Sequence, residues 1–144
     1  MLGQKELKKW INTAVTKELC TDRPNEITRL SLLRAKFAEE LAPIFGLRLK
    51  ASELFLMGLF SVLDLILNLP MEEALSKINV SKEIFEALTH KRGDLAAVFD
   101  FIVQYENANW QEVSRQMIIM GLNIDDVYDA YIKSVCWYRD VFFS

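Results

Sequence analysis

A chain of 144 residues, 51% apolar and 26% charged, is long enough to bury a core without disulfides or metals and too apolar for general disorder. A net charge of −3 offers no basic face of the kind that nucleic acid or an anionic membrane surface requires. Five Gly and three Pro argue against long irregular loops, and Cys20 and Cys136 fit no metal or redox spacing, which predicts reduced thiols in a cytoplasmic protein.

The start, Met-Leu-Gly-Gln-Lys-Glu-Leu-Lys-Lys, has no apolar core of a secretory signal. Residues 4–19 read as a helix, with Leu7, Trp10, Ile11, Ala14, Val15 and Leu19 at three- and four-residue spacings. Lys5, Lys8 and Lys9 lie opposite and read as a solvated surface. Asp22 and Pro24 mark a break. The next helix is expected from about Asn25 to Phe45, with a stripe of Ile27, Leu30, Leu33, Phe37, Leu41 and Ile44, small residues Ala35, Ala38 and Ala42 that let a neighbour approach, and Gly46 at its end.

Ala51–Leu69 is the most hydrophobic stretch of the chain. Leu54, Phe55, Leu56, Met57, Leu59 and Phe60 point in nearly every direction around a helix, which must therefore be buried on all sides. A membrane span needs roughly 20 apolar residues; Asp64 and Asn68 interrupt this run, so it reads as the central core helix, capped by Ser52 and stopped by Pro70. A short amphipathic piece follows at Met71–Ile78. Ser81 caps another with Ile84, Phe85 and Leu88 inside, and Gly93 breaks it. Leu95, Val98, Phe99 and Ile102 give the next helical period to about Glu106. Asn109-Trp-Gln-Glu112 has the capping-box form and opens a helix ending at Gly121, with Met117 and Met120 in the core by spacing. Asn123 starts the last helix, where Val127, Tyr131, Val135, Tyr138 and Phe142 share a face. No stretch alternates with period two and no repeat appears. Residues 1–144 are expected to form one all-α domain of seven to eight helices around the central buried one.

Chemistry-bearing residues are sparse. The lone histidine, His90, sits beside Lys91, Arg92 and Gly93 and reads as a helix C-terminal charge rather than a ligand or base. Asp125, Asp126 and Asp129 lack the spacing of a calcium loop and read as helix-start carboxylates. Ser61 and Asp64, one turn apart in the central helix, form with Arg34 the candidate polar site. A buried carboxylate needs a partner, and Arg34 flanks the stripe of the preceding helix. The site reads either as a structural polar contact or as a small-molecule pocket. Trp137 with Phe142 and Phe143 is either core or a hydrophobic edge.

Gly58-Leu-Phe-Ser-Val-Leu-Asp64 resembles the Gly-Leu-Leu-His-Asp-Ile-Gly stretch of the HD superfamily. Together with Leu30–Ala42 and Leu2–Trp10 it resembles HDOD domains, the HD-related output domains of bacterial signalling proteins. The Gly-Leu-Phe-Ser core and the Pro70–Glu73 turn resemble the HDOD half of proteins that also carry an EAL domain; the resemblance spans about residues 2–110. It implies an HD-like helical bundle. The positions matching the central His-Asp metal pair hold Ser61 and Val62, and that of an earlier ligand histidine holds Leu30, so the resemblance implies no hydrolytic metal, no cofactor and no catalysis. What it implies instead is a cytoplasmic output or interaction domain linked to cyclic-di-GMP regulation, with an EAL domain or another protein as partner. The alternative is a degenerate HD-type pocket, lined by Ser61, Asp64 and Arg34, that binds a small ligand or nucleotide without hydrolysis. Leu2-Gly3 matches the middle of a full HDOD domain, so the chain is expected to be its later part. Surface left uncovered at Trp10 and Ile11, and at Trp137, Phe142 and Phe143, is then expected to serve as an interface, in a homodimer among other arrangements.

Overall fold

The computed structural model describes residues 26–143, with Phe143 described by its backbone alone. The expected first helix, with Trp10 and Ile11, and the thiol of Cys20 lie outside the described residues. Those described are all-α: α1 (Glu26–Leu41), a 3-10 turn (Arg48–Lys50), α2 (Ala51–Phe60), α3 (Leu63–Leu67), α4 (Met71–Ser76), α5 (Lys82–His90), α6 (Asp94–Glu106), α7 (Trp110–Met120) and α8 (Ile124–Phe143). No helix among them is long and apolar enough to cross a membrane.

The organising contact is α1 against α2. Along α1 the deepest positions are the small ones, Ser31, Ala35, Ala38 and Ala42, with Leu32, Phe37 and Leu41 beside them; Ile27, Leu30 and Leu33 of the expected stripe are only half-buried. Small side chains let the two backbones come close, and Gly58 of α2 completes the approach. A Cβ at Gly58 would stand 2.6 Å from the backbone nitrogen of Ala35 and from the carbonyl carbon and oxygen of Arg34. Leu54, Met57, Leu59 and Phe60 are then sealed completely or nearly so. Each such side chain contributes about 1.5–3 kcal/mol relative to exposure. The other side of α1 takes α8, while α2 also meets α5 and α6. Ala51–Phe60 is therefore central, as its all-round hydrophobicity requires.

Several boundaries differ from the sequence reading, each for a local reason. α1 stops at Leu41 rather than Phe45 because Pro43, two residues on, has no N–H to give the ladder and biases Ala42 out of the helix. The turn closes with Leu47 N–H donating to the Ala42 carbonyl at 2.7 Å, over Gly46 at φ +73°. Ser52 does not cap α2, which starts from Lys50 with no side-chain cap; Lys50 Nζ instead ties this corner to Glu83 of α5 at 2.8 Å.

The central helix is not continuous to Leu69. It breaks after Phe60, and the chain restarts as α3, whose Leu65 and Leu67 are exposed. At the break the Ser61 hydroxyl donates back to the Gly58 carbonyl at 2.7 Å, which the Ser61 N–H also meets at 3.3 Å. Val62 then turns to φ −114°, ψ 10°. Two donors from one residue on one carbonyl replace the regular i→i−4 bond there, the competition with the ladder that serine side chains offer. Asn68, left-handed at φ +55°, ends α3 just before Pro70.

Ser81 caps α5 as expected, accepting from Ile84 N–H at 3.3 Å and donating to Glu53 of α2. The capping box at Asn109 does not form. The Asn109 amide donates to Gln104 at 2.8 Å, and Glu112 turns to Arg115 and Gln116. The Arg115 hydrogen bond, followed by that from Gln116, holds the half-buried Glu112 carboxyl down at about 2. Gly121, left-handed at φ +68°, ends α7, and Asn123 Oδ1 accepts from the Asp125 and Asp126 N–H groups at 2.8 and 3.3 Å to start α8. Met117 is buried, but Met120 overhangs the end of α7 and is exposed. On α8 the face turned inward is Val127, Ala130, Ser134 and Tyr138, so Tyr131 and Val135, expected inside, stand at its exposed edge.

Candidate functional site

Three helix segments deliver the polar residues that meet beside the break. Arg34 comes from the middle of α1, Ser61 from the end of α2, and Glu106, 72 residues from Arg34, is the last residue of α6. Arg34 Nε lies 2.9 and 3.2 Å from the two Glu106 carboxylate oxygens, and its Nη2 is 2.9 Å from Oε1, the forked arrangement that fits guanidinium to carboxylate. Arg34 Nη1 donates to the Ser61 hydroxyl at 3.2 Å, and that hydroxyl donates onward to the Gly58 carbonyl. The guanidinium also stands 5.5 Å from the centre of the Phe99 ring, which Lys91 Nζ approaches at the same distance. One turn earlier on α1, the Ser31 hydroxyl donates to the Leu59 carbonyl at 3.1 Å. Two hydroxyls and one guanidinium thus stitch α1 to the last turn of α2 and to the end of α6.

The side chains of Arg34 and Glu106 keep 14% and 23% of their exposure, so the pair is partly shielded at the surface, between a half-buried Arg34 and an exposed helix end at Glu106. Every nitrogen of the guanidinium is engaged within the protein, and a carboxylate occupies the position that an anionic ligand of Arg34 would take. The arrangement is chemically a lock. It positions helices and leaves no unpaired charge waiting for a substrate.

Of the residues singled out in the sequence, Arg34 and Ser61 are brought together and Asp64 is not among them. Asp64 is half-buried on α3, its backbone carbonyl closes the helix end through Leu69 N–H at 3.1 Å, and Glu106 is the carboxylate on Arg34. No local signal reveals Glu106, an ordinary helix-end acid in a sequence window far from Arg34. Val62 is fully buried beside Ser61, and Leu30 is half-buried. Among the described residues no three His, Cys, Asp or Glu side chains come together as a metal site. His90 is exposed at the end of α5 with its ring 6.0 Å from Phe85. Trp137 is half-buried, edge-on to Phe55 at 6.2 Å with Lys36 Nζ 5.9 Å from its ring, and Phe142 packs on Tyr138 at 4.9 Å. Both rest against the core. A groove of about 440 Å³ between α5 and α6 carries both signs of charge, Lys82 and Arg92 against Glu83, Glu86 and Asp94, and lies apart from Arg34 and Ser61.

Fold and site together define a helical protein whose most intricately bonded polar cluster ties helices together instead of presenting donors to solvent. Two relatives match nearly its whole length. The chain is 29% identical over 140 residues to the cyclic di-GMP phosphodiesterase CdgJ of Vibrio cholerae, covering 97% of this chain and 32% of that protein. It is 28% identical over 142 residues to the Bacillus subtilis protein YuxH, covering 95% of this chain and 34% of YuxH. The chain therefore spans about a third of the length of the curated relatives it matches. No protein-family model matches it, and no solved structure matches it.

Proposed function

We propose that this chain is a non-catalytic output or interaction module of the HDOD kind, acting in the cytoplasm within cyclic-di-GMP regulation beside an EAL domain. The observation that carries the reading is the near-complete coverage of this chain by one third of a cyclic di-GMP phosphodiesterase. A segment matched so fully, yet forming so small a part of its relative, suits a module that serves a larger enzyme. The non-catalytic reading is supported by the residues at the positions resembling HD ligands. Leu30 and Val62 offer hydrocarbon, and the Ser61 hydroxyl is spent between Arg34 and the Gly58 carbonyl. Catalysis and metal binding by such a set would need donors it does not have.

The module would act through its helix surfaces, with no bond made or broken. Titration calorimetry with cyclic di-GMP should give no saturable heat, because the arginine nearest the HD-like centre is already neutralised by Glu106. Saturable one-to-one binding would overturn this reading in favour of a ligand pocket at Arg34 and Ser61.

A further inference from the structure

Along α8 the residues Ile124, Tyr128, Tyr131, Ile132 and Val135 recur at the spacings of one helix face, and all five are exposed, Ile124 at 70% and Tyr128 at 56%. This is a second apolar face, beside the Val127, Ala130, Ser134 and Tyr138 side. It widens at its inner edge into an aromatic cluster. Tyr131 stands 5.2 Å from Tyr105, and Tyr105 stands 5.2 Å from Trp110, which is itself more than half exposed. A contiguous apolar face of this kind is uncommon on an isolated surface and marks an interface.

The charges on α8 say what covers it. The first two turns carry Asp125, Asp126 and Asp129, and the rest of the helix carries Lys133 and Arg139, with Asp140 the exception. Asp125, Ile132 and Arg139 are spaced by seven, so they follow one edge of the apolar face. Two copies of α8 laid antiparallel with Ile132 on the two-fold axis bring Asp125 of each copy opposite Arg139 of the other, twice. A parallel pairing would stack Asp on Asp. The neighbouring Arg139–Asp140 contact, 3.4 Å and exposed on both sides, is too weak to compete. We infer that the exposed face of α8 pairs antiparallel with the same face of a second copy of this chain, registered by reciprocal Asp125–Arg139 contacts. An isologous contact of this form closes on itself and needs only the one patch.

The pairing deepens the interaction reading by naming a partner, and it is tested separately from it, since a chain that binds or hydrolyses a nucleotide could still pair. Sedimentation equilibrium of the 144-residue chain up to about 100 µM should show a monomer–dimer equilibrium, the range expected of a single-helix interface. Asp125→Arg and Arg139→Asp should each raise the dissociation constant about tenfold or more, because each sets like charges against one another. The double variant should return it towards the original value, with unchanged far-UV circular dichroism in all three. A monomer throughout, or a dimer indifferent to both reversals, would overturn the proposal.

Discussion

Gly58→Leu is expected to lower stability by about 3 kcal/mol, the upper part of the range for overpacked cores. The reason is specific to what the added carbon meets. At 2.6 Å its neighbours are the backbone of Arg34 and Ala35, atoms that cannot rotate aside as a flexible side chain can. Relief requires α1 and α2 to separate, which opens the seal over Leu54, Met57 and Leu59. Gly58→Ala gives the sharper sign test. On an exposed helix this change gains about 1 kcal/mol from propensity; here the Cβ alone makes the forbidden contact, so the variant should be less stable than the parent. With urea slopes of about 1–3 kcal/mol/M, the leucine variant should shift the unfolding midpoint down by roughly 1–3 M. An unchanged midpoint would mean that α1 and α2 are not in register as described.

The second large effect is expected at Arg34. Arg34→Met keeps an unbranched apolar side chain of similar reach but removes the guanidinium over Phe99 and its donors to Glu106 and Ser61. Breaking a fully buried ion pair costs about 3–5 kcal/mol and a surface pair about 0–1 kcal/mol. With 14% and 23% exposure this pair lies between, and about 2 kcal/mol is expected. Arg34→Lys should recover only part of the loss, because an ammonium cannot fork onto a carboxylate. A double-mutant cycle with Glu106→Gln isolates the coupling. A coupling energy near zero by chemical denaturation would show that the lock is ornamental to the fold.

The two sites are physically joined, which explains what the sequence disclosed and what it withheld. The hydrophobic all-round pattern of Leu54–Phe60 required a buried central helix, and the structure shows that the mid-helix Gly58 is where its neighbour comes closest. The small residues Ala35, Ala38 and Ala42 pointed to the partner face. Where the central helix ends depends on a single hydroxyl bonding backwards from Ser61, a choice between two hydrogen-bond patterns that period and propensity do not register.

The candidate site was legible in half. Arg34 and Ser61 stand out as polar residues on apolar elements, whereas Glu106 reaches Arg34 only through the packing of α6, and Asp64 is carried away by the same break that frees Ser61. The last helix misled for a different reason. Its sequence holds two adjoining apolar faces, and which of them turns inward is decided by the packing of α8 on α1, which leaves Val127, Ala130 and Tyr138 buried. The face left outside then remains available to a partner.

The central claim, that this helical scaffold serves signalling without catalysis of its own, meets its most direct test in cyclic di-GMP turnover with added manganese, followed by separation of the linear dinucleotide product. No product above a protein-free control is expected, because Leu30, Ser61 and Val62 supply no ligand set for a hydrolytic metal. Product that accumulates in proportion to the chain and stops on chelation would contradict the account.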